Sequence, residues 1–280
     1  MSYRKKHVKN NIHKLRPKNF ILKRRAFWFF ALALTAVLFA FYFLIFSSKF
    51  EIKEIEISGN EKIQKEDLKN FISSRLSREI IAVGSFIIKS KSVFLIDYKK
   101  LNKEILDNFP ALENVKIGRR SFLALAVEIS ERKPVGIFCN LLPGGEIIFD
   151  ECFFIDQRGV IFERTTNAAG SMLIIKNMKD MKEVFVGEKI VAENIMRIIL
   201  SIEKNLKNNL KISIEEAFIS SPVRLDIKTA ERWQIYFNLE SDMDTQIAKM
   251  NLLLNGEIPP DARKNLKYID LRFKDNAYYK

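Results

Sequence analysis

The chain has 280 residues, of which 48% are hydrophobic and 29% are charged, and its formal net charge is +13. This length and composition exclude a low-complexity or disordered chain and leave room for two modest domains. The charge is uneven, because residues 1–25 hold ten Lys and Arg residues and no acidic residue. A local explanation for the charge is therefore preferred over a nucleic-acid-binding surface.

An uninterrupted apolar run from Ala26 to Phe46 follows this basic arm. At about 1.5 Å per residue, a helix of this length spans about 30 Å, the thickness of a bilayer's hydrocarbon core. A cleaved signal peptide would end in small residues, whereas this run ends in Leu44-Ile45-Phe46. We predict a single transmembrane helix at residues 26–47, with the arm (1–25) in the cytoplasm and the rest of the chain outside the plasma (inner) membrane.

Residues 49–133 predict a first domain with the element order strand, helix, helix, strand, strand. The predicted elements are a strand at 50–57 with a bulge at Glu54, a helix around 68–72, a helix from Asp97 to Pro110, and strands at 115–117 and 123–130. The segment 73–93 between the helices has no clear period and is predicted to be irregular or a short helix.

Residues 134–280 predict a second domain, built on an antiparallel sheet with two helices, so the fold class is α+β. The predicted strands are 135–139, 147–149, 153–155, 160–162, 224–227, 233–237 and 266–273, the last with a continuation towards Tyr279. One helix is indicated by isoleucines spaced three and four residues apart between Val191 and Leu206. Another begins at Asp242 and ends at Gly256.

Several segments, taken in order, resemble the FtsQ/DivIB family of cell division proteins. They are Ile55-Glu56-Ile57-Ser58-Gly59-Asn60, Val93-Phe94-Leu95-Ile96-Asp97, Asn108-Phe109-Pro110, Arg119-Arg120, Val127 to Val135, Phe154 to Phe162, and Tyr268-Ile269-Asp270-Leu271-Arg272-Phe273. The chain departs from the family pattern at Ala111, where an aromatic residue is frequent, and near Phe122, where a proline is frequent.

The resemblance implies a POTRA-like domain at 49–133 and an FtsQ/DivIB-type β domain at 134–280. It also implies a non-enzymatic scaffold at the division septum that binds FtsB-like and FtsL-like partners and helps to recruit septal peptidoglycan synthases of the FtsW/FtsI type. In that family, a partner segment adds to the C-terminal strand region of the β domain. The residues that this mode would use here are Tyr268, Asp270, Arg272, Phe273, Asp275, Tyr278 and Tyr279.

The residue types argue against most enzymatic mechanisms. The only histidines, His7 and His13, lie in the basic arm, so the predicted ectodomain offers no histidine for a catalytic triad or a metal site. We predict no cofactor. A membrane-anchored cell-wall hydrolase that uses a carboxylate pair is the alternative function. Glu128 and Glu131 are a candidate pair, although solvated carboxylates at a strand end are the preferred interpretation.

Cys139 and Cys152 are the only cysteines, and both follow the predicted membrane helix. Their positions at the ends of two predicted hairpin strands are compatible with a disulfide, since disulfides persist outside the cytoplasm. Two buried free thiols are the other interpretation, and the sequence favours it. A catalytic thiol is not expected, because no nearby base is predicted.

Overall fold

The computed structural model describes residues 25–280 except 84–85, 91, 122, 142–146, 166–171 and 178–183. The basic arm, apart from Arg25, and both histidines lie outside these residues. The described chain forms two compact units, residues 25–53 with 77–96, and residues 54–76 with 97–280. The predicted boundary at residue 133 falls inside the second unit and stays a prediction.

The helices and strands are named here in chain order. The helices are α1 (Arg25–Phe46), α2 (Lys65–Leu76), α3 (Tyr98–Asn108), α4 (Glu193–Asn205) and α5 (Met243–Leu252). The strands are β1 (Glu54–Ser58), β2 (Arg78–Val83), β3 (Phe86–Ser90), β4 (Leu112–Arg119), β5 (Ala124–Glu131), β6 (Gly136–Leu141), β7 (Ile147–Ile155), β8 (Ile161–Arg164), β9 (Ile174–Asn177), β10 (Ile214–Ser221), β11 (Arg224–Thr229), β12 (Gln234–Asn238), β13 (Tyr268–Asp270) and β14 (Tyr278–Tyr279).

The first unit holds the long apolar helix α1 and the antiparallel hairpin β2–β3. No residue of α1 is buried, and the helix is long and apolar enough to cross a membrane. The hydroxyl of Ser92 donates a hydrogen bond of 2.9 Å to the carbonyl oxygen of Leu44, near the end of α1. The chain just after the hairpin is therefore fixed to the C-terminal end of α1.

The smaller sheet of the second unit has the strand order β1-β5-β4, with β1 parallel and β4 antiparallel to β5. Helix α2 buries Leu68, Ile72 and Leu76, which recur every four residues as expected for one helix face. Helix α3 begins at the N-cap Asp97, whose carboxylate accepts the N–H of Lys100. The predicted order of strand, helix, helix, strand, strand is confirmed for these five elements.

The larger sheet has nine strands in the order β14-β13-β12-β11-β10-β9-β6-β7-β8. Helices α4 and α5 pack their apolar residues into the core of this sheet, with Met196, Ile199, Ile202 and Met250 fully buried. Helix α4 matches the predicted isoleucine stripe, and α5 begins after Asp242, whose side chain accepts the N–H of Thr245. The α+β class is confirmed.

The predicted antiparallel sheet is in fact mixed. Strand β9 runs parallel to both β6 and β10, and β12 runs parallel to β13. Parallel neighbours need a crossover connection. Helix α4 lies in the crossover from β9 to β10, and α5 lies in the crossover from β12 to β13. The helices were predicted, but the strand direction that each one imposes was not.

Three local predictions differ from the structure. The strand predicted at 50–57 begins only at Glu54, because residues Ser48–Phe50 form a 3-10 turn instead. The segment 73–93, predicted to be irregular or a short helix, holds the end of α2 and the hairpin β2–β3. The two strands predicted at 147–149 and 153–155 are one continuous strand, β7.

Candidate functional site

Strand β14 is the outermost strand at one end of the larger sheet and pairs antiparallel with β13. Tyr268 and Lys280 exchange backbone hydrogen bonds of 3.4 and 3.2 Å, so the N–H and C=O of Lys280 point towards β13. Hydrogen-bonded and non-hydrogen-bonded pairs alternate in an antiparallel ladder. The next pair, Ile269 with Tyr279, is therefore a non-hydrogen-bonded pair. The N–H and C=O of Tyr279 consequently point away from β13, to the open side of the sheet.

Two side chains from the α5 region hold the turn and the strand in place. The Tyr279 hydroxyl donates to a carboxylate oxygen of Glu257 at 3.2 Å, and this hydrogen bond raises the pKa of the tyrosine above its usual value. The ammonium of Lys249 donates to the carbonyl oxygens of Phe273, at 2.7 Å, and of Lys274. The short strand β14 is thus anchored by more than its ladder to β13.

Three large aromatic side chains lie exposed at this edge. Phe273 is 50% exposed, Tyr278 51% and Tyr279 47%. The rings of Phe273 and Tyr278 contact each other edge-to-face with centroids 5.0 Å apart. Aromatic side chains on an open edge strand combine free backbone hydrogen-bonding groups with apolar area, which is the combination that protein interfaces favour.

Asp270 and Arg272 have a different environment, because they pair with each other. The guanidinium of Arg272 donates to both carboxylate oxygens of Asp270, at 2.8 and 2.6 Å. Burial raises the pKa of the Asp270 carboxyl, but the hydrogen bonds and charge of Arg272 outweigh it, so the pKa is below its usual value. Burial of the Asp270 side chain makes a direct contact of this group with a partner unfavourable.

The strand predicted at 266–273 ends early because of the same aspartate. The backbone N–H of Arg272 donates to the Asp270 carboxylate at 3.2 Å, an Asx-type turn that diverts the backbone from the ladder. The chain then turns back and pairs as β14 with β13. The predicted edge from Tyr268 to Tyr279 is therefore a hairpin, and only its second strand lies at the open side.

An aromatic and guanidinium cluster lies on the sheet beside this hairpin. Tyr236 of β12 stacks on Tyr268 with ring centroids 5.6 Å apart. The guanidinium carbons of Arg224 and Arg272 lie 4.8 and 5.6 Å from the centroid of the Tyr236 ring, a cation–π arrangement. Tyr268 and Arg272 are thus used to support the hairpin.

The structure therefore divides the seven predicted contact residues into two groups. Phe273, Asp275, Tyr278 and Tyr279 are exposed in the turn or in β14. Tyr268, Asp270 and Arg272 lie behind them and hold the hairpin to β12. Sequence reasoning missed Lys249 and Glu257, because no local spacing indicates that residues near α5 contact the edge strand.

The two carboxylates of the candidate catalytic pair, Glu128 and Glu131, each contact other groups of the protein. One oxygen of Glu131 accepts the backbone N–H groups of Glu61, Lys62 and Ile63 at 2.7, 3.0 and 3.0 Å. Burial raises the pKa of Glu131, but these three donors outweigh it and lower the pKa below its usual value. Glu128 is exposed and lies 4.0 Å from the ammonium of Lys116. Glu131 therefore orders the loop after β1.

Cys139 and Cys152 are direct cross-strand partners on β6 and β7, and their sulfur atoms are bonded at 2.10 Å. Both residues are fully buried in a small cluster with Ile137. Phe138 and Phe153, their neighbours in sequence, point into the main core, so the disulfide lies on the opposite face of the sheet. The structure thus differs from the preferred interpretation of two free thiols.

Much of the larger sheet is similar to a known protein family. Residues 150–272 match the family described as "Cell division protein FtsQ/DivIB, C-terminal". The chain is also similar to "Cell division protein DivIB" of Clostridium botulinum (strain Hall / ATCC 3502 / NCTC 13319 / Type A), with 24% identity over 237 residues, which cover 82% of this chain and 81% of the relative. The family match ends at Arg272, before the exposed residues of the turn and β14.

Proposed function

We propose that the chain is a member of the FtsQ/DivIB family of cell division proteins and a non-enzymatic scaffold of the bacterial division machinery, since residues 150–272 match that family and most of the chain is similar to a DivIB protein. In this proposal, FtsB-like and FtsL-like membrane proteins bind through the open edge at β14. The observation that carries the proposal is the geometry of this edge, where the backbone groups of Tyr279 point away from the sheet.

Strand addition suits this edge for two reasons. An added strand would pair with the outward N–H and C=O of Tyr279, which supplies affinity that does not depend on sequence. The exposed rings of Phe273 and Tyr278 lie beside it and supply apolar area, and aromatic residues dominate the binding energy of many interfaces. Asp275, in the turn, offers a charged rim.

The membrane helix contributes to the proposed function because it holds the chain in the same bilayer as its partners. In this proposal the chain is a single-pass membrane protein of the division site, with α1 as its membrane helix. Partners held in the same bilayer meet at a high effective concentration, so a short edge strand can suffice for binding. We further propose that the basic arm is cytoplasmic, that the two sheets are extracytoplasmic, and that the bound complex helps to recruit FtsW/FtsI-type septal synthases.

The alternative of a cell-wall hydrolase finds little support. A carboxylate pair for glycoside hydrolysis needs two acidic groups that face each other across a substrate cleft. The Glu131 carboxylate is instead occupied by three backbone N–H donors, and Glu128 lies on the exposed face of β5 beside Lys116. No cofactor is part of the proposal.

The test measures binding of the full chain in nanodiscs to the extracytoplasmic segment of the FtsB-like protein from the same genome. The informative variant is Tyr279→Pro, which removes the outward N–H but no bond to β13. The matched control is Tyr279→Phe, which removes the hydrogen bond to Glu257 and keeps the backbone. We expect at least about tenfold weaker binding for the proline variant and less than about twofold for the control.

A truncation ending at Leu271 removes the turn and β14 and should abolish binding. Equal binding by the wild type, Tyr279→Pro and the truncation would place the partner elsewhere and refute the edge mechanism. Failure of the wild type to bind, with the partner supplied as a coiled-coil dimer, would refute the scaffold function itself.

A further inference from the structure

We propose that the hairpin β2–β3 is a membrane-interface element that lies in the phospholipid headgroup layer at the C-terminal end of α1. This inference goes beyond the scaffold function, and it rests on α1 being the membrane helix. It is supported by the position where the hairpin is fixed, the order of residues along its ladder and the absence of a further paired strand among the described residues.

The hairpin begins and ends close to the point where α1 leaves the bilayer. Ser92, two residues after β3, is 1% exposed and bonds to the carbonyl of Leu44, which lies within the last turn of α1. An isolated antiparallel bridge also pairs Ser92 with Glu51. Two residues span at most about 7 Å, so the end of β3 lies near the level of the helix end.

Aromatic residues mark the same level. The ring of Phe50 contacts the rings of Phe43 and Phe94, with centroids 6.0 and 5.5 Å apart. Phe43 and Phe94 are 44% and 47% exposed, although both are large and apolar. A cluster of exposed aromatic rings at the end of a membrane helix is typical of the boundary between hydrocarbon and headgroups. The base of the hairpin is thus at the membrane surface.

The ladder register gives the hairpin a polar base and an apolar far end. Near the base, Arg78 pairs with Ser90 and Glu79 with Lys89. The three pairs further along the ladder are entirely apolar, and they are Ile81 with Ile88, Ala82 with Ile87, and Val83 with Phe86. Charged residues therefore lie at the base of the hairpin, near the level of the helix end, and apolar residues lie at its far end.

The hairpin forms a two-stranded sheet of its own, and the structure shows no third strand paired with it in the described chain. A two-stranded hairpin is at best marginally stable on its own in water. Burial of its apolar end in lipid would stabilise it, whereas complete insertion would leave the edge N–H and C=O groups without partners. The balance favours immersion to about 5–10 Å, the depth of interfacial elements.

The test uses the full chain in phosphatidylcholine–phosphatidylglycerol nanodiscs with the fluorophore NBD attached to one introduced cysteine. The native cysteines are buried and joined, so they do not take the label. The labelled variants are Ala82→Cys in the apolar part and Lys89→Cys near the base. The control is Lys116→Cys, at an exposed position on β4 of the second unit. Lipids with a doxyl group and aqueous iodide serve as the two quenchers.

We expect doxyl lipids to lower the Ala82 emission about twofold and the Lys89 emission less, with no effect on the control. Aqueous iodide should quench the control label most, the Lys89 label less and the Ala82 label least. Quenching of the Ala82 label by iodide alone would show a hairpin in water and overturn the proposal. Protection of that label from both quenchers would show protein cover and overturn it as well. Neither outcome depends on partner binding, so the proposed function is tested separately.

Discussion

Arg132 forms a buried ion pair with Asp156, and this pair joins the smaller sheet to the larger one. The side chains are only 14% and 3% exposed. The guanidinium donates from one terminal nitrogen to Asp156 and from Nε to the Pro110 carbonyl at 2.9 Å. The other oxygen of Asp156 accepts the N–H groups of Arg158 and Val160, both at 2.9 Å, which orders the turn before β8.

This connection predicts strong coupling between the two residues. Arg132→Ala and Asp156→Asn should each lower the free energy of unfolding by about 3 kcal/mol, because each leaves a buried polar partner unsatisfied. The double variant should lose about 1–3 kcal/mol less than the sum of the two. Urea unfolding of the full chain in detergent, followed by the fluorescence of the buried Trp233, measures these values. Strictly additive losses would contradict the coupling.

Glu131 predicts a pH-dependent contribution to stability. Because its pKa is lowered by folding, the stabilisation is complete above the ordinary value of 4.5 and is lost as the pH falls through the lower folded value. Glu131→Gln should therefore cost about 1 kcal/mol near neutral pH, allowing for solvent screening, and the difference from wild type should shrink as the pH falls below 4.5. Urea unfolding at several pH values measures it.

Glu128→Gln is the matched control for that experiment. Glu128 is exposed and lies at the limit of an ion pair with Lys116, so its replacement should change the stability by less than about 0.5 kcal/mol at every pH. An equal effect of the two substitutions would contradict the assignment of Glu131 to the loop after β1.

The disulfide predicts a redox-dependent stability. The bond closes a segment with a sequence separation of 13 residues, for which a stabilisation of about 3 kcal/mol is expected. Reduction of the unfolded chain before refolding should lower the unfolding midpoint, and the variant with Cys139→Ala and Cys152→Ala should not respond to reductant. Mass spectrometry after alkylation provides a direct check, since modification of the unreduced, denatured protein would contradict the bond.

The added methyl group of a Gly159→Ala substitution should strongly lower the stability of the fold. Its φ is +79°, and an added Cβ would lie 1.9 Å from the carbonyl oxygen of Val191. Gly159→Ala should therefore destabilise the fold by about 2–4 kcal/mol in thermal or urea unfolding. Gly118→Ala is the control, because its Cβ would meet no atom within 4 Å, and it should change the stability by less than about 0.5 kcal/mol. Similar losses for both would disprove the steric cause.

The sequence predicted those elements whose causes are local. The isoleucine spacing predicts α4, and the Asp242 cap with its downstream apolar residues predicts α5. What could not be predicted depends on contacts between distant residues. The parallel pairing of β12 with β13 requires α5 to cross the sheet, and no pattern within either strand indicates it. The hairpin β2–β3 was missed because its apolar residues do not alternate with polar ones.

In the candidate site, too, some features could be predicted from the sequence and others could not. The alternation around Ile269 and Leu271 predicts a half-buried strand, and both residues are indeed fully buried. The exposed aromatics Phe273, Tyr278 and Tyr279 were predicted by their residue type. The early end of β13 at Asp270 was not predicted, because a carboxylate that bonds to the N–H two residues later looks like any other polar strand residue in the sequence.

Strand β9 has a consequence for the order of folding. It spans only Ile174–Asn177, yet it is the strand that connects β6, β7 and β8 to the rest of the larger sheet. The antiparallel strands on either side of it, β6 with β7 and β10 with β11, are close in sequence and can pair early. The two parallel pairings of β9 close long loops, and such contacts form slowly. We therefore expect the two parts of the sheet to collapse first and to become one cooperative body only when these four residues insert between them.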